Sequence, residues 1–149
     1  MKKLPLLLAE PNALLRQTVA LTAGSIRIGP VFQASTLRMA QKMVNERAFA
    51  AIIVPLCWDD DAAIEPVIDF IEALRSGDTL CPASVPVFVT ASSCSLEEAT
   101  VLAALTVQRV LIKPFKARLL IEVLAELSRS AVDANAPESE SSQLQLQAG

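Results

Sequence analysis

Five short apolar runs divide the chain, and each is followed by a longer stretch whose apolar residues return with helical spacing. Short, nearly continuous apolar runs are typical of strands that are buried on both faces of a sheet. The strands predicted from these runs cover residues 6–9, 30–34, 50–54, 86–90 and 107–112.

The stretches between the strands carry local signals for the beginnings and ends of helices. We expect Gly24 to end the first helix and Ser35 or Thr36 to cap the second. Pro66 should open the third helix at a position where its missing N–H costs nothing, and Gly77 should close it. A capping box is predicted at the start of the fourth helix, where Ser95 and Glu98 are three residues apart. The five predicted helices cover residues 13–23, 36 or 37 to about 48, 66–76, 96 to about 105, and 117 to about 130.

Regular alternation of strand and helix favours an α/β fold, with one parallel sheet covered by helices on both faces and right-handed crossovers. In such doubly wound sheets, functional groups collect at the carboxyl ends of the strands. The residues at those ends are Glu10, Pro55, Thr90 and Lys113. We expect one domain over residues 1–130 and an acidic, disordered tail over residues 131–149.

The composition narrows the possible functions. Hydrophobic residues make up 52% of the chain, but no apolar run approaches the roughly 20 residues of a membrane-spanning helix. The last 20 residues contain three acids and no base, and they account for the whole net charge of −3. The rest is neutral and has no basic stripe, so we expect neither a membrane nor a nucleic acid as partner.

The reactive residue types exclude several chemistries. The chain has no histidine, which removes Ser-His and Cys-His catalysis and also a histidine phosphotransfer role. Its three cysteines are odd in number and widely spaced, which favours a reducing cytoplasm over a disulfide framework or a metal site. We expect no enzymatic activity, no cofactor and no metal.

Two apolar runs and their endings carry the most specific pattern. The run at residues 51–54 ends in Pro55, and the run at residues 110–112 ends in Lys113-Pro114-Phe115. In order, spacing and flanking pattern, residues 4–128 resemble the response-regulator receiver domain (CheY-like superfamily). The resemblance implies a flavodoxin-like sheet with strand order 2-1-3-4-5, and a cis peptide bond between the lysine and the proline.

The resemblance also implies a phosphorylation site, and the chain departs from it. Receivers use an acidic pair for Mg²⁺, a phosphate-accepting aspartate, a switch hydroxyl and a lysine. Here Glu10 keeps one acid, Pro11 replaces the other, Pro55 stands at the phosphate-accepting position, and Thr90 and Lys113 match the hydroxyl and the lysine. A proline side chain has no oxygen, so we interpret these five residues as a vestigial phosphorylation site. We expect Lys113 to pair with Glu10 or to reach solvent, because an unpaired buried charge is costly.

We therefore interpret the chain as a stand-alone pseudo-receiver that binds a signalling protein, either a histidine kinase or another regulator, or a second copy of itself. The resemblance places the interface on the fourth helix, fifth strand and fifth helix. Because Leu96, Val101 and Leu105 cannot all point inward from one helix, apolar surface should remain there for a partner. The predicted partner face consists of Val101, Leu105, Arg109, Val110, Arg118, Ile121 and Glu122.

Three alternatives stay open at this point. Trp58 is either packed over the vestigial site or is an additional anchor for a partner. Asp59, Asp60 and Asp61 are predicted to form a solvated loop, but one of them is the acid to expect if the chain is a phosphorylation-competent, atypical receiver. The third alternative is a sensor for a small molecule or anion that binds beside Lys113 and Thr90.

Overall fold

One parallel sheet forms the centre of the molecule. The computed structural model describes residues 5–25, 29–58, 63–114, 116, 118–119, 122–123 and 125. Within these ranges the strands are β1 Leu6–Ala9, β2 Val31–Ala34, β3 Ala51–Pro55, β4 Val87–Ala91 and β5 Arg109–Ile112. They lie in the order β2-β1-β3-β4-β5, and every neighbouring pair is parallel. The predicted fold class and strand order are therefore confirmed.

Helices connect the strands as the apolar spacing predicts. Their bounds are α1 Ala13–Ser25, α2 Leu37–Glu46, α3 Glu65–Arg75 and α4 Leu96–Ala104. The described residues of the predicted fifth helix, at positions 118–119, 122–123 and 125, also have helical backbone. No helix in the described part of the chain is long and apolar enough to cross a membrane. The predicted tail, residues 131–149, lies outside the described residues.

Several predicted boundaries are wrong by one or two residues. α1 continues past Gly24, which does not adopt a left-handed conformation. Pro30 lies outside β2, although its carbonyl accepts from the N–H of Leu6, at 2.9 Å. β3 and β4 each begin and end one residue later than predicted.

The end of α2 and the start of β5 also differ from the prediction, and local hydrogen bonds accompany both differences. α2 ends at Glu46 because Arg47, at the C-cap, is already extended and its N–H donates to the Met43 carbonyl. β5 begins at Arg109 instead of residue 107, because the N–H of Val107 donates back to the Leu102 carbonyl at 3.1 Å. Residue 107 therefore completes the end of the preceding helix.

Unlike Gly24, the signals predicted at the starts of α2 and α4 and at the end of α3 are present. The Thr36 hydroxyl, not that of Ser35, accepts from the Met39 N–H at the start of α2. The Ser95 and Glu98 side chains form a complete capping box at α4. Gly77 follows α3 with φ of +79°, a conformation that glycine adopts without a Cβ penalty.

The three central strands, β1, β3 and β4, are buried on both faces, between two apolar layers. Alternate strand residues such as Leu7 and Ile52 pack with α2, α3 and α4, in what we call the first layer. Their neighbours Leu8 and Ile53 pack with α1 and Val123, in what we call the second layer. The predicted inward face of α3 is buried throughout: it consists of Val67, Phe70, Ile71 and Leu74.

Candidate functional site: the carboxyl edge of the sheet

Main-chain hydrogen bonds bring the ends of the strands together at one edge of the sheet. The N–H of Glu10 donates to the Ala34 carbonyl at 2.9 Å, and the N–H of Lys113 donates to the Ala91 carbonyl at 2.7 Å. Pro55 is paired in register with Thr90. The parallel ladder therefore places Glu10, Pro55, Thr90 and Lys113 around one crevice.

An ion pair crosses this crevice. Lys113 Nζ lies 3.1 Å from Glu10 Oε1, and the two side chains are 28% and 5% exposed. The other carboxylate oxygen of Glu10 accepts from the Asn12 N–H at 3.0 Å. Both carboxylate oxygens thus have partners within the chain. The prediction that Lys113 pairs with Glu10 is confirmed, and so is the cis Lys113–Pro114 peptide.

Two residues that the sequence analysis did not single out support Glu10. Asn12 precedes α1, and its side-chain oxygen accepts from the Leu15 N–H at 2.9 Å, which is the usual role of asparagine before a helix. Arg16 donates from Nη1 to the Glu10 carbonyl at 2.7 Å and from Nε to the Gln33 side chain at 3.2 Å. Asn12 could have been identified by its capping signal, whereas Arg16 carries no local signal for this contact.

Thr90 is buried beside this pair. It is 2% exposed, and its Oγ1 has no hydrogen-bond partner among the described residues. The hydroxyl-bearing side chain lines a small cavity between α1 and the sheet. That cavity is lined by Leu8, Glu10, Leu15, Arg16, Val19, Ile53 and Thr90.

The donor set around the crevice does not fit the Mg²⁺ that a receiver fold implies. Magnesium prefers several oxygen ligands in octahedral geometry. Pro11 and Pro55 supply no side-chain oxygen, and both oxygens of Glu10 already accept from nitrogen. Within the described ranges, no group of three or more acidic, histidine or cysteine side chains is placed to hold a metal ion. Asp59, Asp60 and Asp61 lie outside those ranges.

Trp58 packs away from this cavity. Its half-buried ring lies against the first layer, whereas the cavity beside Thr90 is lined by residues of the second layer. Trp58 Nε1 is buried without a hydrogen-bond partner among the described residues. The ring is thus part of the packing of the first layer, and it does not line the cavity beside Thr90.

The predicted partner face is only partly described. On α4, Leu102 is buried, while Val101 is 40% exposed and Leu96 is 83% exposed, so apolar surface does remain on this helix. Leu105, Arg109 and Val110 are half-buried. Arg118 and Glu122 are exposed and form an ion pair at 3.3 Å. Ile121 lies outside the described residues.

Ile112 adds an apolar residue that sequence reasoning assigned to the buried strand. It is 48% exposed because β5 is an edge strand of the sheet and its last residue has no neighbouring strand on one side. Along β5, Arg109 and Val110 are half-buried, Leu111 is buried and Ile112 is exposed, so this strand is covered less than the central strands.

Similarity to known proteins is found in structure and not in sequence. The chain matches neither a protein-family model nor a curated protein by sequence. Chemotaxis protein CheY4 of Vibrio cholerae superposes with a TM-score of 0.69 at 20% identity, over 83% of this chain and 98% of that one. A response regulator receiver protein from Pseudomonas putida gives a TM-score of 0.70 at 20% identity, over 85% and 98%.

The orphan response regulator HP1043 of H. pylori gives a TM-score of 0.71 at 14% identity, over 86% of this chain and 99% of that one. These structures have in common the receiver domain of response regulators, and their likeness extends over nearly their whole length. At these identities the similarity concerns the arrangement of the backbone. The five-stranded sheet, its order and its flanking helices therefore give this chain the fold of a response-regulator receiver domain.

Proposed function

We propose that this chain is a pseudo-receiver, which acts in a two-component or phosphorelay-type pathway by binding proteins and does not accept a phosphoryl group. The observation that carries the proposal is the Glu10–Lys113 ion pair beside Pro55. Phosphoryl transfer depends on a positioned nucleophile and on neutralisation of charge by metal ions. At this crevice, a proline stands where the nucleophile belongs, and the acid that would hold the metal neutralises a lysine instead.

The proposed binding surface is the predicted partner face. It combines exposed apolar side chains on α4, such as Val101, with charged side chains on β5 and the fifth helix, such as Arg109 and Arg118. Apolar centres with charged rims are typical of protein interfaces. The partner proposed for it is a histidine kinase, another regulator, or a second copy of the chain.

Phosphate uptake is tested directly with a small-molecule donor. The full chain is incubated with acetyl phosphate and Mg²⁺ and its mass is measured, beside a receiver that has an aspartate at the position of Pro55. We expect the mass of this chain to stay unchanged while that of the control rises. Uptake on any residue, including Asp59, Asp60 or Asp61, contradicts the proposal and supports the atypical-receiver alternative.

The binding surface is tested by reversing charge. The native cell lysate is probed with the tagged chain and with Arg109→Glu and Arg118→Glu variants, and Arg38→Glu on the exposed side of α2 is the matched control. We expect the specifically captured protein to be lost with the first two variants and retained with the control. Capture that survives both reversals places the interface elsewhere.

A second candidate function is sensing of a small anion. The observation that favours it is the Oγ1 of buried Thr90, which has no partner in the described part of the chain and is a donor at the same sheet edge as the Lys113 ammonium. Thermal unfolding measured with phosphate, sulfate and nucleotides tests this function. A melting temperature that rises with ligand concentration supports it, and unchanged melting curves dismiss it.

A further inference from the structure

Arg75, at the end of α3, makes an unusual set of contacts. Its Nε donates to the Leu105 carbonyl at 2.8 Å, and its Nη2 donates to the Thr106 carbonyl at 3.3 Å. Its Nη1 donates to the carbonyls of Ala83 and Val85, at 2.9 and 2.7 Å. The guanidinium thus joins the turn between α4 and β5 to the loop that precedes β4.

These bonds are made to main-chain carbonyls and not to a carboxylate. Arg75 takes part in neither of the ion pairs found among the described residues, Lys113–Glu10 and Arg118–Glu122. Burial lowers the pKa of its guanidinium, although arginine remains protonated at neutral pH. A charged donor that is half-buried and faces four carbonyl oxygens is well suited to fix the positions of those oxygens.

The turn that Arg75 contacts contains a strained residue. After α4, the N–H of Thr106 donates to the Ala103 carbonyl at 2.9 Å, and the N–H of Val107 donates to the Leu102 carbonyl at 3.1 Å. This pair of bonds is the Schellman motif, whose left-handed position is usually glycine. Here the position is taken by Thr106, with φ of +55°. A β-branched residue is a genuine outlier in this region, because its side chain crowds the backbone.

We propose that Arg75 is a positioning residue that holds the α4–β5 turn in its strained conformation and thereby sets the position of Leu105. Strained backbone persists when surrounding contacts over-determine it. The carbonyls of Leu105 and Thr106 both accept from one guanidinium. The same guanidinium also donates to the carbonyls of Ala83 and Val85. The importance of this turn for partner binding rests on the proposed function, whereas the coupling between Arg75 and Thr106 does not.

The coupling is tested by hydrogen exchange in a double-mutant cycle on the full chain. The variants are Arg75→Met, Thr106→Gly and their combination, with Arg38→Met on α2 as the matched control. We expect Arg75→Met to speed exchange of the amides of residues 106–108 by about tenfold, the effect of losing hydrogen bonds to a charged group. Amides of β1 and β3 should be unaffected.

The second mutation separates this role from general support of the fold. Glycine adopts positive φ without strain, so Thr106→Gly in the Arg75→Met background should restore exchange to within about threefold of the unmodified chain. Rescue supports the proposal. Failure of Thr106→Gly to rescue, or unchanged exchange in Arg75→Met, overturns it. If Arg75→Met does not fold, the same cycle is run with Arg75→Lys, which keeps the charge and loses the fork of donors.

The outcome is independent of the proposed function. Hydrogen exchange of residues 106–108 is measured without a partner. If the predicted increase in exchange or its rescue is not observed, only the role of Arg75 is contradicted. Loss of protection in Arg75→Met with undiminished capture of the partner contradicts the placement of the interface and leaves the coupling intact.

Discussion

The ammonium of Lys113 lies 3.1 Å from a carboxylate oxygen of Glu10, although the two residues are 103 positions apart in the chain. β1 and β5 are not neighbours in the sheet, because β3 and β4 lie between them. The lysine therefore reaches across the carboxyl edge above Pro55 and Thr90. A contact that spans the crevice in this way joins the ends of two strands that are not neighbours, and it leaves both charged groups paired with each other.

Removing the charge of Glu10 should destabilise the chain. Glu10→Gln leaves the Lys113 ammonium without its counter-ion, and we expect the free energy of unfolding to fall by about 1–3 kcal/mol, reduced from the fully buried case because Lys113 is partly exposed. Denaturant unfolding measures the change. The matched control is Glu122→Gln, which breaks the exposed pair with Arg118 and should cost less than about 1 kcal/mol. Equal losses in the two variants contradict a special role of the crevice pair.

An aspartate at position 55 should not restore phosphorylation. Pro55→Asp supplies a nucleophile, but Pro11 still provides no metal ligand and Glu10 still pairs with Lys113. We expect no acyl phosphate after incubation with acetyl phosphate and Mg²⁺, as judged by intact mass. The double variant with Pro11→Asp adds the missing oxygen ligand and is the appropriate comparison. Phosphate uptake by the single variant would refute this explanation.

Replacing Thr90 by valine should leave the stability unchanged or raise it by up to about 1 kcal/mol, because the substitution keeps the shape and removes a buried hydroxyl that has no partner among the described residues. Thermal unfolding measures this effect. If the chain binds partners without phosphorylation, partner capture should also be unaffected. A loss of capture in Thr90→Val would show that the hydroxyl takes part in signalling.

Two leucines of α4 should respond very differently to truncation. Leu102 is 1% exposed, so Leu102→Ala should lower the free energy of unfolding by about 2–5 kcal/mol. Leu96 is 83% exposed, and Leu96→Ala should change it by less than about 0.5 kcal/mol. Denaturant unfolding distinguishes the two, and a large loss at Leu96 would mean that this side chain is already covered in solution.

The thiol of Cys94 should show a pH dependence that involves Glu98. Burial raises the pKa of the Cys94 thiol, and the Glu98 carboxylate raises it further, because a nearby negative charge disfavours the thiolate. A raised pKa means less thiolate at a given pH, so alkylation should rise at a higher pH than for a free cysteine. Glu98→Gln preserves the capping interaction and should move that curve to lower pH.

The labelling of Cys81 is the internal control for this measurement. Burial raises the pKa of the Cys81 thiol, and the Glu98 carboxylate does not contribute to this rise. Its alkylation should therefore be the same in Glu98→Gln and in the unmodified chain. A shift of both curves would indicate loosening of the fold and not removal of a local charge.

Much of the fold was predictable because its signals are local. The inward face of α3 follows from helical spacing, and the capping box at Ser95 and Glu98 satisfies orphan N–H groups within four residues. Boundaries were less predictable. Val107 is apolar and resembles a strand residue, yet its N–H completes the end of α4, and the choice depends on a hydrogen bond to Leu102 that composition does not encode.

The candidate site, like the fold, has features that the sequence predicts and features that only the structure decides. The sequence by itself determined which atoms are available at the carboxyl edge: a carboxylate at Glu10, no side-chain oxygen at Pro11 and Pro55, and an ammonium at Lys113. The sequence left Lys113 either paired with Glu10 or in solvent, and only the tertiary structure decided between the two. Strand order and register bring Lys113 to Glu10, and the packing of α3 brings Arg75 to the turn at Thr106. Side-chain identity is a property of each position, whereas contact between distant positions is a property of the assembled sheet.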